Sequence, residues 1–107
     1  MSVKGRSDRA KKARHARLSA RRRGATITEL VYYDEIYERD EGICQLCWQP
    51  VSFEGGTMDH KTPLAKGGPH IKTNIQLAHK RCNNEKGSEP HEFSLLRRKR
   101  WQAPGSL

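Results

Sequence analysis

A small α+β domain, with helices and a short strand pair along its length, is what this sequence predicts, and three observations bound its size and show that more than a hydrophobic core holds it together. The chain has 107 residues, a length that suits one small domain and rules out a large multidomain enzyme. Only 34% of it is apolar, with two Trp, three Tyr and two Phe, and its mean hydropathy is −0.95, so it cannot bury a comfortable core unaided. Three cysteines, Cys44, Cys47 and Cys82, leave one unpaired in any intramolecular disulfide scheme, and no stretch resembles a secretion signal. A reducing, cytoplasmic compartment follows as the expectation, and with it a staple other than a disulfide.

The charge is unevenly placed. The chain carries 21 Lys and Arg against 12 Asp and Glu, a formal net charge of +9. Residues 1–25 hold ten of the cations and only Asp8, so this segment accounts for the whole excess and the remainder is neutral. With Lys11, Lys12, Arg14, Arg17, Arg21, Arg22 and Arg23 and almost no bulky apolar residue, it reads as a disordered or inducibly helical arm. Such an arm binds phosphates without reading bases, and DNA is the partner it predicts. A solubilising terminus is the alternative. No apolar run approaches the length of a membrane span.

The next elements follow in order. Leu30, Val31, Tyr33, Ile36 and Tyr37 are spaced for one amphipathic helix over 28–39, inside a segment 26–41, with Glu29, Glu35 and Arg39 on its wet face and Gly42 as its stop. A short hairpin or strand pair is expected around Trp48–Met58, broken by Gly55-Gly56. Lys66-Gly67-Gly68-Pro69 marks a loop, and 74–86 has the polarity and length of a short helix. These make a core of 42–90, and a final helix from Glu92 to Trp101 lies in the tail 91–107. Its run Arg97-Arg98-Lys99-Arg100 either follows a phosphate path or forms a solvated face. Trp48 and Trp101 are expected to pack.

The cysteines supply the staple. Cys44-x2-Cys47 followed by His79-x2-Cys82 offers three thiolates and one imidazole, a tetrahedral zinc set with no position left for water. That argues for one structural Zn²⁺ joining the start of the domain to its last helix. Its binding free energy is on the order of 10 kcal/mol, comparable with the whole stability of a small domain. Three buried cysteines with a surface His79, or a redox Cys-x2-Cys, are the alternatives.

A second polar set is not needed by zinc. Asp59 and Asn83 offer oxygens to a hard divalent cation, and His60 is a usable base near neutrality, with a pKa of about 6.5 when unperturbed. Adjacent residues on a regular strand point opposite ways, so Asp59 and His60 serve one site only across a local bend or from two sides of a phosphate. Taken singly, Asp59-His60 reads as a turn and Asn74 as a helix cap. Together, Asp59-His60-Lys61-Thr62-Pro63-Leu64-Ala65-Lys66-Gly67-Gly68, Asn74-Ile75-Gln76-Leu77 and Cys82-Asn83-Asn84-Glu85-Lys86-Gly87 resemble the HNH endonucleases, the ββα-metal nucleases. With Cys44-x2-Cys47 the resemblance covers about 42–87.

The resemblance implies a ββα-metal core stabilised by a zinc knuckle and a DNA hydrolase. Asp59 and Asn83 would hold one Mg²⁺ or Mn²⁺, or another divalent ion; His60 would be the general base, and Asn74 would orient or buttress it. Products would be a 5′-phosphate and a 3′-hydroxyl. Lys61 and Lys86 would hold neighbouring phosphates. The zinc-containing members start the helix with a second Cys-x2-Cys, whereas His79 stands here for its first cysteine, which leaves His79 open to the catalytic cation instead. So small a domain implies nicking with low sequence specificity, with a homodimer or a phage or bacterial targeting protein as possible partner and a bacterial cell or infected host as setting. The rivals are a noncatalytic zinc module that binds nucleic acid and a zinc-stabilised protein adaptor.

Overall fold

In a computed structural model that describes residues 2–87, five regular elements follow one another: α1 (Ser2–Arg22), α2 (Tyr33–Arg39), β1 (Gly56–His60), β2 (Ile75–His79) and α3 (Lys80–Lys86). The expected last helix, with Arg97, Arg98, Lys99, Arg100 and Trp101, lies outside the described residues. β1 and β2 pair antiparallel, with Met58 opposite Leu77 and Asp59 opposite Gln76, and α3 packs on both to complete a ββα unit. This is the small α+β fold the sequence predicts.

The core gathers Val31, Ile36, Cys44, Leu46, Val51, Ile75, Leu77 and Ala78, and Tyr33, Tyr37, Met58, Cys47 and Cys82 pack against it. Tyr33 and Tyr37 form a cluster of edge-to-face contacts with Phe53, and their hydroxyls donate to the carbonyls of Phe53 and Val51. They are therefore occupied by packing. Arg39 fastens α2 to the sheet, donating to the carbonyls of Lys72 and Ile75 while its partner Asp40 accepts from the Leu77 amide. A residue expected on a wet face thus satisfies main chain at the base of β2.

Several expectations are corrected. The helix over 28–39 is shorter, Tyr33–Arg39, because Thr28 bridges His70 and the Glu29 amide bonds the His70 carbonyl, giving 28–29 backbone partners in extended form. The hairpin around 48–58 is instead a knuckle, with Ile43 bridged to Pro50, after which β1 pairs with β2. The helix over 74–86 is a turn at Lys72–Asn74, then β2, then α3. A short buried run such as Ile75–Ala78 carries no periodicity that separates strand from helix. Trp48 is exposed and has φ 64°, so it turns the knuckle instead of joining the core.

Of the two forms expected for the N-terminal segment, disordered or inducibly helical, the structure shows the helical one. It is one continuous helix whose alanines do the docking: Ala13 and Ala20 are buried, seven residues apart on one face. Alanine is the best intrinsic helix former, and small side chains let the helix approach closely. Arg9 reaches Asp34 at 2.6 Å and Glu35 at 3.0 Å and lies over the Tyr32 ring, while Arg17 and Arg21 reach the Thr28 hydroxyl. Among the described residues, no helix is long and apolar enough to cross a membrane.

Candidate active site and metal centre

The knuckle and the end of the sheet bring four metal-ligating side chains together. The Cys44 amide bonds the Gln49 carbonyl and the Trp48 amide bonds the Cys44 carbonyl, closing a tight turn, and the Gln45 amide ties it to Leu77 on β2. His79 ends β2 and Cys82 lies in the first turn of α3, so the pair spans a strand and a helix instead of sharing a helix face. The ligand atoms of Cys44, Cys47, His79 and Cys82 all lie within 4.8 Å of one another. A tetrahedral ion bound through sulfur at about 2.3 Å needs its ligands about 3.8 Å apart.

The donors are arranged for an ion. His79 Nε2 lies 3.1 Å from the Pro50 carbonyl, so it carries the proton, and Nδ1 faces the Cys47 and Cys82 sulfurs at 3.4 and 3.7 Å. A second hydrogen bond that orients a ligating imidazole in this way is usual at zinc sites. Burial pushes the Cys47 thiol up, and burial with the neighbouring Cys44 and Cys47 sulfurs pushes Cys82 up to about 12. Thiols packed so closely ionise only with a cation to compensate them. The cluster therefore fits a structural zinc, and His79 sits with the cysteines.

A cavity of about 230 Å³ is bordered by Asp59, His60, Asn83, Lys86, Pro63, Leu64 and Arg23. Asp59 and His60 share it because His60 is the last residue of β1 and the chain bends at Lys61 and Thr62. The Asp59 carboxylate is buried; it accepts from Gln76 Nε2 at 2.8 Å and from Lys86 Nζ at 3.1 Å. Lys86 also donates to the His60 carbonyl at 2.9 Å. Lys86 is therefore not a solvated phosphate contact in this structure but a buried cation facing Asp59, only 4% exposed. Lys61 is half-buried beside the site, and its amide bonds the Asn74 carbonyl.

The His60 ring is held by a residue that the sequence did not single out. His60 Nε2 lies 2.9 Å from Nδ1 of His70, and His70 is 1% exposed. His70 looked like one more residue of the Gly-Gly-Pro loop; its only sequence signal is an imidazole ten positions after His60. Burial and then His70, Arg23 and Lys86 lower the His60 pKa to about 4, and burial lowers that of His70. Asn74 works on the loop instead: its side chain accepts from the Thr62 amide and donates to the carbonyls of Thr62 and Pro69. It shapes the segment that carries His70, while the ring contact to His60 belongs to His70.

Of the basic residues expected to meet DNA, Lys11, Lys12, Arg14, Arg21 and Arg22 are exposed on α1, Arg17 is half-buried, and Arg23 borders the cavity. No curated protein matches the chain significantly. The family model for the HNH endonucleases matches residues 44–89, a span that takes in the Cys/His cluster, both strands, α3 and the Asp59, His60 and Asn83 wall of the cavity. A ββα unit beside a zinc-type knuckle is the architecture that this match leads one to expect, and the chain accordingly carries an HNH endonuclease domain.

Proposed function

We propose that the chain is a divalent-metal-dependent DNA endonuclease that hydrolyses phosphodiester bonds with low intrinsic sequence specificity. The observation that carries this reading is the convergence of Asp59, His60 and Asn83 on one cavity, with the His60 ring held by a buried His70. Asp59 and Asn83 are the residues that would hold one Mg²⁺ or Mn²⁺, and Asp59 already faces a positive charge, that of Lys86. Such an ion supplies charge stabilisation at the phosphate and at the leaving oxygen.

The chain's own residues supply the proton chemistry. His60 takes the proton of the attacking water at Nδ1, because Nε2 is engaged with His70. This requires His60 to donate from Nε2 to His70 Nδ1, which leaves the His70 proton on Nε2. Burial and the adjacent cations hold His60 neutral near pH 7, the form a base needs. The water attacks phosphorus as His60 takes its proton, the bond to the 3′ oxygen breaks, that oxygen takes a proton from a solvent water, and the products are a 5′-phosphate and a 3′-hydroxyl. Asn74 and His70 keep the loop and the ring in place. The exposed cations of α1 and Lys61 hold flanking phosphates, and target choice falls to a second copy or a targeting partner.

The test is plasmid nicking by the zinc-loaded protein with Mg²⁺, Mn²⁺ or no added divalent ion, beside His60→Ala prepared identically. Divalent-dependent nicking that disappears in the variant supports the reading. Tight DNA binding with no nicking by either protein overturns it in favour of a noncatalytic zinc module.

A further inference from the structure

The matched domain begins at Cys44, yet one wall of its cavity comes from outside it. Arg23 follows the last residue of α1, and its amide still bonds the carbonyls of Ser19 and Ala20. Beyond it the backbone runs along the loop that carries the site. Gly24 has φ 109° and passes so close to the Leu64 carbonyl that a Cβ would stand 2.9 Å from that oxygen. Thr26 donates to the Gly67 carbonyl at 2.8 Å, the His70 amide bonds the Ile27 carbonyl, and the Glu29 amide bonds the His70 carbonyl. Residues 24–29 are thus stitched along 64–70, so Arg23 stands at the cavity on fixed backbone and not on a swinging arm.

The two cations of the cavity are not equivalent. Lys86 is committed to Asp59 and to the His60 carbonyl. Arg9, Arg17, Arg21 and Arg39 each hold a protein partner. The Arg23 guanidinium makes no hydrogen bond or ion pair among the described residues, and its charge is felt at His60. An exposed guanidinium facing a site with a general base matches the planar, bidentate demand of a phosphate group.

From this geometry we propose that Arg23 clamps the phosphodiester that His60 and its water attack, so that the N-terminal helix completes the nuclease site. The inference rests on the nuclease reading above and names the substrate group that this residue holds. Negative charge grows on the non-bridging oxygens as the water adds, and a positioned donor gains most there. Arg23 should accordingly act on the rate of the bound complex more than on affinity, unlike the outward cations of α1.

The experiment uses the full-length, zinc-loaded chain in single-turnover plasmid nicking at saturating enzyme, with affinity measured separately on a labelled duplex. Arg23→Ala is expected to lower the saturated rate about a hundredfold while Kd rises less than about threefold, and Arg23→Lys to recover part of the rate. Zinc content and thermal midpoint, unchanged for both variants at this exposed position, exclude a folding defect. A saturated rate equal to wild type in Arg23→Ala, whether or not binding weakens, overturns the clamp. Absence of nicking by the unsubstituted protein overturns the nuclease reading itself, a failure seen before any substitution is made.

Discussion

Single side chains decide most of the chemistry in this molecule, and two buried ones tie the site together. Among the described residues His70 has no hydrogen-bond partner for its Nε2, and it touches the His60 ring with its Nδ1. Burial depresses both imidazoles, so the folded chain binds fewer protons than the unfolded chain between the ordinary value of about 6.5 and about 4. The stability contributed by keeping the rings neutral is fully present above that window and is lost as pH falls through it. We expect thermal midpoints of wild type and His70→Asn to converge as pH drops from 7 to 5; parallel curves would show that the pair does not govern acid lability. Asn74→Ala removes three bonds from loop main chain and should cost about 1–3 kcal/mol in urea unfolding. A loss below a few tenths would mean that water replaces the amide at no cost.

Among the elements, α1 changes the picture most. Its composition reads as a charged tail, yet Ala13 and Ala20 give it a face that docks, and Arg9 pairs across to α2. Exposed ion pairs of this kind contribute little by themselves. The docking comes from helix propensity, close approach and the backbone bonds that follow at 24–29. The opposite face keeps Lys11, Lys12, Arg14 and Arg22 in water, so α1 is both a wall of the fold and an electrostatic surface. Deleting residues 1–22 should weaken duplex binding and reduce the slope of log K against log salt by about 0.9 for each phosphate that the helix neutralises. An unchanged slope in salt titrations would remove α1 from the DNA-binding surface.

At the scale of the whole molecule, the Cys/His cluster and the core are one body. Cys44 is a core residue, and Cys47 and Cys82 pack against the same cluster as Ile36 and Leu77. Elemental analysis should find one zinc per chain. Cys82→Ala should lose the metal and the cooperative thermal transition together, because zinc contributes on the order of 10 kcal/mol to a domain whose net stability is of that size. A soluble Cys82→Ala protein that melts cooperatively without zinc would assign the fold to its apolar core alone.

Much of the fold and site was legible in the sequence because it depends on chemistry at fixed spacing. Cys44-x2-Cys47 with His79-x2-Cys82 needed only residue identity and separation, the Asp59-His60 to Asn83 set stood out through its resemblance to the HNH endonucleases, and the structure brings each set together. The small size of the domain was legible too, since so few apolar residues cannot build a larger core, whereas the ββα arrangement came with the resemblance. Tertiary structure decided what depends on partners distant in sequence. Ile75–His79 becomes a strand because β1 offers it hydrogen bonds, and 28–29 stays extended because His70 offers them. Lys86 turns inward because Asp59 is buried within its reach, His70 becomes a buttress because the loop folds over His60, and Arg23 reaches the cavity because Gly24 lets the backbone lie against Leu64. Local spacing specifies which groups can do chemistry; burial and long-range backbone pairing specify which of them face one another.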